Sequence, residues 1–192
     1  MQDENDFNRF YEKELTVLLQ PLEMERKKIK QLGVTGFVFL GIAFIFLIVA
    51  ITSHNTVTGI ITAIAFIPAL VFLILFAVRM KKFARKFKEQ IVSRIIHFID
   101  PSLRYSPEQY IAEADYKNSG LYLNSPDRYT GDDYVEGTHD KTFFCFSELH
   151  TEEKISSGKE AHWETIFKGM FIIADFNKNL SGRTYVWNEN KP

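Results

Sequence analysis

The chain has 192 residues, enough for roughly one domain with accessory segments, and a formal net charge of −1. Its one cysteine, Cys145, rules out an intrachain disulfide and argues against a disulfide-built secreted domain. The neutral total hides a segregation: residues 33–78 carry no Asp, Glu, Lys or Arg, residues 79–99 carry seven basic side chains against one acidic, and residues 100–192 carry ten basic against sixteen acidic.

Residues 1–32 predict a cytoplasmic amphipathic helix. In "DFNRFYEKELTVLLQPLEMERKK", Phe7, Tyr11, Leu15, Leu18 and Leu22 recur at steps of three and four and form one apolar stripe. Pro21 is expected to break or kink it. The stripe suits packing within the chain or on a partner.

Residues 33–52 and 57–78 are uncharged runs of 20 and 22 residues. At ~1.5 Å rise per residue each reaches ~30 Å, the thickness of a bilayer's hydrocarbon core. A helix satisfies its own backbone polar groups and so tolerates lipid where a loop does not. The predicted fold class is therefore a membrane α-helical hairpin of two transmembrane helices, followed by a small α+β cytoplasmic domain with an antiparallel β-meander. A cleaved signal peptide does not fit, because the run is too long, acids precede it and a second run follows at once.

Residues 53–56, "SHNT", are too few for anything but an external turn, and His54 reads as a solvated turn residue. "ERKKIK" precedes the first run and "RMKKFARKFK" follows the second, while the turn has no Lys or Arg. The positive-inside rule then puts both termini in the cytoplasm. Gly59, Ala63, Ala65 and Ala69 recur at four-residue spacing and are the expected transmembrane helix-packing residues. Pro68 is expected to kink the second span. The lack of charge within either run argues against a proton relay or an ion path.

Residues 79–99 predict a basic juxtamembrane helix with Phe83, Phe87, Ile91 and Ile95 on one face. Arg79, Lys81, Lys82, Arg85, Lys86 and Lys88 are the candidate contacts to anionic lipid headgroups, each attracted by about 1 kcal/mol near the surface. His97 reads as a packed side chain. No nucleic acid partner is expected, because the cations lie beside lipid and the distal domain is acidic.

Residues 100–192 predict the cytoplasmic domain, and in "IDPSLRYSPEQ" Pro101 and Pro107 punctuate a turn at its start. "SPEQYIAEADYKNSG" reads as a short helix with Ser106 as N-cap, Pro107 at its first position and Gly120 beyond its end. "DYVEGTHDKTFFCFSELHTEEK" reads as a β-hairpin turning near His139 to Lys141. "ISSGKEAH" reads as a polar loop. "WETIFKGMFIIADFNKNLSGRTYVWN" reads as a second hairpin turning around Asn177 to Gly182. About four antiparallel strands are expected.

For chemistry the pattern offers little. Glu148, His150 and Glu152 alternate on one strand face, and His139, Asp140 and His162 fall in or near loops. His150, Glu148 and His162 are the candidate metal ligands if the loops converge. The plainer reading is a solvated strand face. No phosphate-cradling glycine loop or nucleophile elbow is present, so no catalytic residue and no cofactor is assigned. Cys145, in "FFCFS", reads as a small buried hydrophobe.

"FYEKELTVLLQPLEMERKK", the paired spans, "IIHFIDPSLRYSPEQYI", "FSELHTEEK" and above all "IFKGMFIIADFNKN" resemble the bacterial membrane protein family catalogued as domain of unknown function 3137 (DUF3137). The resemblance covers nearly the whole chain, with residues 166–179 its most specific part. It implies a two-span protein of the bacterial cytoplasmic (inner) membrane with a cytoplasmic domain, and it supplies no activity, cofactor or catalytic residue. Members of that family usually run on past the "ADFNKN" region, so the resemblance implies a chain shortened at its C-terminus. A last strand near Arg183 to Trp187 would then leave an open sheet edge.

The reading that follows is a membrane-anchored interaction or regulatory module. Its partners are anionic membrane lipid, an unknown protein and a second copy as a homo-oligomer, and its carriers are the basic segment and an exposed sheet edge. The alternatives are a small oligomeric pore or transport subunit and a membrane-bound metal-dependent enzyme.

Overall fold

Two long helices carry the first half of the chain. In a computed structural model, which describes residues 4–53, 56–157, 160–176, 178 and 181–186, helix α1 runs Glu4–Ser53 and helix α2 runs Thr56–Ile99. His54 and Asn55 of the expected turn lie outside the described residues, while Ser53 ends α1 and Thr56 begins α2. The chain divides into two compact units, Met1–Arg94 and Ile95–Pro192.

In the first unit no separate N-terminal helix exists. Pro21 does not break the helix, and neither does Pro68: each lies inside a continuous helical segment. The helix is not broken at Pro21 because one lost backbone bond is outweighed by a buried stripe on either side of it, with Leu15, Leu22 and Ile29 each 2% exposed. Each helix instead widens to a π turn outside its apolar run, α1 at Tyr11–Leu15 and α2 at Lys88–Val92. The Thr16 hydroxyl donates to the Tyr11 carbonyl at 3.0 Å at the end of the first of these turns. The apolar stripe is only partly covered, since Phe7 and Tyr11 stay exposed.

The two helices pack antiparallel. Glu25 meets Lys86, Phe39 stacks on Phe72 at 5.5 Å, and the Thr62 hydroxyl donates to the Phe46 carbonyl at 3.1 Å while also lying 2.8 Å from the Thr58 carbonyl. Small residues make the seam. A Cβ on Gly33 would lie 2.8 Å from the Phe76 ring, and one on Gly36 would lie 3.2 Å from Phe72. Ala43 and Ala69 are fully buried. Four of the expected seam positions behave differently from one another. Ala69 is buried and Ala65 half-buried, whereas Gly59 and Ala63 are exposed and nothing lies within 4 Å of a Cβ on Gly59. The contact thus uses Gly33 and Gly36 of α1, which the spacing within α2 could not reveal.

Away from that seam the helices are bare. Only 11% of the residues in each helix's most apolar window are buried within the chain. Both are long and apolar enough to cross a membrane.

The second unit is a four-stranded antiparallel sheet in the order β1-β2-β3-β4, with β1 at Arg104–Ser106, β2 at Arg128–His139, β3 at Thr142–Ser157 and β4 at Glu160–Asp175. The expected turn near His139 to Lys141 is present: His139 pairs with Thr142, and Asp140 takes the left-handed conformation at φ 54°. The rest of the expected layout changes. "ISSGKEAH" is not a loop, because Ile155 pairs with His162 and Ser157 with Glu160. Gly158 and Lys159 lie outside the described residues. The outer part of this ladder is held by Arg128, which sits 3.7 Å over the Trp163 ring and 3.4 Å from Glu152.

No strand forms at residues 181–186; Asn177, Asn179, Leu180 and Trp187 lie outside the described residues. The fourth strand is β1, at the site of the expected proline turn, paired with Tyr134 to Glu136. Ser106 therefore ends a strand and caps no helix. Helix α3 is only Glu113–Asn118, and it ends as expected, with Gly120 beyond it at φ 67°.

One sheet face carries the core. Tyr116 of α3 and Ile111 before it pack on Cys145, Leu149 and Phe171, with Tyr122, Tyr129 and Phe167 around them. Two buried hydroxyls stitch this layer. Ser147 accepts from the Ile111 amide at 3.1 Å, Thr151 shares a 3.1 Å hydrogen bond with the Tyr116 hydroxyl, and the Tyr129 hydroxyl donates to the Ile111 carbonyl at 2.8 Å. Among the described residues no buried side-chain polar atom lacks a partner.

Three outcomes test this architecture. Gly33→Leu should destabilise the helix pair by about 1–3 kcal/mol through overpacking, whereas Gly59→Leu should be close to neutral, as read by thermal denaturation in detergent. Tyr116→Ala should cost about 3–5 kcal/mol in urea unfolding of the second unit, followed by tryptophan fluorescence. Burial first, then the Asp133 hydrogen bond, raises the Tyr105 phenol, and burial likewise raises Tyr129, Tyr134, Tyr116 and Tyr122. Their contribution is complete below the unfolded tyrosine value of about 10 and is lost as pH rises through the higher folded values. The urea midpoint should therefore hold up to about pH 10 and fall beyond it.

Candidate functional site

Two charged constellations stand out, one in each unit. In the first unit, antiparallel packing brings the cations of "ERKKIK" on α1 and of "RMKKFARKFK" on α2 to the same end of the apolar segments. The link is direct: Lys86 lies 2.6 Å from Glu25. Further along the same helices Arg94 reaches Glu14 at 3.3 Å. Of the six expected headgroup contacts, Arg85 is held by Glu89 at 2.8 Å, Lys86 by Glu25, and Lys88 is half-buried. Arg79, Lys81 and Lys82 are exposed. Lys27, Lys28 and Lys30 on α1 are exposed too, at the same end of the pair. Arg26 is bonded to Glu23 through two nitrogens, at 2.7 and 2.9 Å, and this bond holds the Glu23 carboxyl below its ordinary range.

In the second unit the candidate metal ligands separate. Glu148 and His150 share the sheet face opposite α3. His150 lies 3.3 Å from the Thr165 hydroxyl and 3.9 Å from Glu152. His162 is not with them. It pairs with Ile155, whereas His150 pairs with Lys168, and a register shift between Thr151 and Glu152 intervenes. Five rungs at ~3.3 Å put the two imidazoles roughly 17 Å apart along the strand. The expected convergence fails because His162, taken for a loop residue, is paired in the β3–β4 ladder.

Glu148 meets other partners instead. It stands opposite Asp132, and the carboxylates of Asp132, Asp133 and Glu148 have oxygens within 4.8 Å of one another. A β-bulge creates the cluster. The register slips between Asp132 and Val135, and Asp133 adopts φ 57°, so two successive carboxylates come to one place. Gly131 makes room, since a Cβ there would lie 2.3 Å from the Glu148 carbonyl oxygen. The Tyr105 hydroxyl of β1 donates to Asp133. Three carboxylates are a donor set of the kind a hard divalent cation uses, with water completing its shell. "GDDYVEG" holds the signal for this bulge: a glycine and tandem aspartates inside a strand of alternating residues.

A cavity of about 720 Å³ in the second unit is bordered by Arg104, Glu108, Tyr110, Tyr134, Glu136 and Cys145. Its charges are paired in part: Arg104 lies 3.1 Å from Glu136, which also accepts from the Tyr134 hydroxyl. Burial pushes the Cys145 thiol up, away from the reactive thiolate, and the side chain is 7% exposed.

Because Asp132 and Glu148 are like charges directly opposite each other, Glu148→Gln should raise the stability of the sheet unit by roughly 0.2–1 kcal/mol at low salt. The gain should shrink in high salt as the repulsion is screened. Urea unfolding at two ionic strengths measures both.

Comparison with protein-family models, with curated proteins and with solved structures finds no match to this chain.

Proposed function

We propose that this chain is a two-span protein of the bacterial cytoplasmic membrane, a member of the family of domain of unknown function 3137, that holds an acidic interaction or regulatory domain at the cytoplasmic surface. The observation that carries the reading is the bareness of two uncharged helices. Val34, Phe37, Ile45, Ile51, Ile60, Ile64, Ile67 and Leu70 are each more than half exposed, on helices that touch only along one seam. Water does not tolerate so continuous an apolar surface, and lipid does. Cations at one end of the hairpin and none in the described residues at the other orient it with both flanks inside.

The surface for a partner lies on the sheet. Strand β4 is an edge strand of 16 residues, and Met170 and Ile172 on it are 58% and 60% exposed. They share the face opposite the core with Phe144 and Phe146, whose rings lie nearly parallel at 6.5 Å. A long edge with apolar neighbours is a template for another strand. The expected edge at residues 183–187 is replaced in this role by β4.

In a Cys145→Ser background, a cysteine at Ser53 should react with a membrane-impermeant maleimide added outside cells. A cysteine at Lys82 should react only after permeabilisation; the reverse pattern would overturn the orientation. A photo-crosslinkable side chain at Met170 should give protein adducts in intact membranes, and one at Lys117 of α3 should not. Absence of adducts at Met170 would overturn the edge as the docking surface.

A further inference from the structure

We infer that the helix pair holds a specific anionic phospholipid, seated in a groove between α1 and α2 at the boundary of the uncharged segments. The inference rests on the membrane reading and goes beyond general attraction of basic residues to headgroups. The groove has a volume of about 380 Å³ and belongs wholly to the first unit. On α1 it is bordered by Arg26, Lys30, Val34 and Phe37, spaced at three and four residues and so aligned on one face. On α2 it is bordered by Phe76, Met80 and Phe83, at the same spacing.

The lining is polar at one end only. Arg26 and Lys30 stand at the mouth, and below them every side chain is aliphatic, aromatic or thioether. That order matches a lipid, with its phosphodiester at the cations and an acyl chain against Val34, Phe37 and Phe76. Arg26 to Phe37 is eleven steps, ~16 Å of helix, with the cations on the cytoplasmic side of Gly33 and the apolar walls beginning where the uncharged segment begins. A free phosphate would use the mouth and leave the apolar walls empty.

Charge complementarity sets the headgroup. Glu23 uses the Nε and one terminal nitrogen of Arg26, which fixes the guanidinium and leaves its other terminal nitrogen to donate. Lys30 is exposed, and no carboxylate in the described residues lies within ion-pair distance of it. Two cations converging on one mouth favour an anionic headgroup over a zwitterionic one, whose amine they would repel. Gly33 shapes the wall: without a side chain it lets the Phe76 ring approach within the space of a Cβ, so the ring forms the back of the groove.

The test uses the full chain, extracted in mild detergent and reconstituted in nanodiscs of phosphatidylglycerol and phosphatidylcholine in equal parts. Lipid that resists a detergent wash is then quantified by mass spectrometry. Phosphatidylglycerol should be enriched on the wild-type chain. Lys30→Gln should reduce the enrichment roughly fivefold. Val34→Trp, which fills the groove without changing charge, should reduce it as well. Lys117→Gln together with Lys141→Gln, in the second unit, should leave it unchanged, while Arg79→Gln together with Lys82→Gln reads the exposed cations outside the groove. Millimolar inorganic phosphate should not displace the lipid, and displacement would mark the mouth as a phosphate site. Enrichment that survives both groove variants, or that falls only with Arg79 and Lys82, would overturn the proposal. Alkaline carbonate extraction separates the two levels of inference. A wild-type chain that stays in the membrane without enriching phosphatidylglycerol would sink the groove alone, and a chain released by carbonate would sink the membrane reading beneath it.

Discussion

The first unit depends on a missing side chain. Gly33 and Gly36 let α1 approach the Phe76 ring and the Phe72 Cβ more closely than any larger residue allows, and Ala43 and Ala69 continue the contact. That approach sets the register of the two helices. With the register set, Glu25 falls beside Lys86, Phe46 beside Thr62, and the basic segments of both helices come to one level. Thr62 illustrates how little polarity the pair contains. Its hydroxyl is satisfied by two backbone carbonyls, one on each helix, so it adds a cross-link without leaving a polar atom unmet.

Charge then follows geometry. Ten cations flank the uncharged segments, and several are drawn off by carboxylates: Arg26 by Glu23, Lys86 by Glu25, Arg85 by Glu89. The exposed ion pairs contribute little to stability in themselves. Their effect is to fix which cations are bound to the protein's own acids and which face outward. Arg79, Lys81 and Lys82 form an outward set on α2, while Lys30 stands at the head of an apolar groove.

The sheet unit solves a different problem. Its core is small and aromatic, and it is covered by a six-residue helix and an extended segment rather than by a long helix. Such a segment has backbone groups to satisfy. Ser147 and Tyr129 bond the two backbone groups of Ile111, which is why a serine sits buried in the middle of β3, and the buried Thr151 beside it meets the Tyr116 hydroxyl. The opposite face is left with Phe144, Phe146, Met170 and Ile172 around a cluster of three carboxylates. An apolar patch beside concentrated negative charge on an edge-bearing sheet is the physical basis for reading this unit as a surface that others dock on.

The uncharged runs, their lengths and the cations at their ends were legible in the sequence, because lipid-length apolar helices are a one-dimensional property. The β2–β3 hairpin was legible too, since alternation and an aspartate suited to positive φ are local. Other features are not local. Spacing of small residues in α2 pointed to Gly59 and Ala63, but only the azimuth of packing shows that Gly33 and Gly36 face the partner helix. Strand β1 was hidden beneath two prolines, because three residues pair only when β2 is already there to receive them. The "ISSGKEAH" segment is polar enough for a loop, yet Ile155 to Ser157 pair with Glu160 to His162, which is what carries His162 away from His150. The bulge that gathers Asp132, Asp133 and Glu148 joins residues about sixteen positions apart, and register across a sheet is a relation between strands that no single strand encodes.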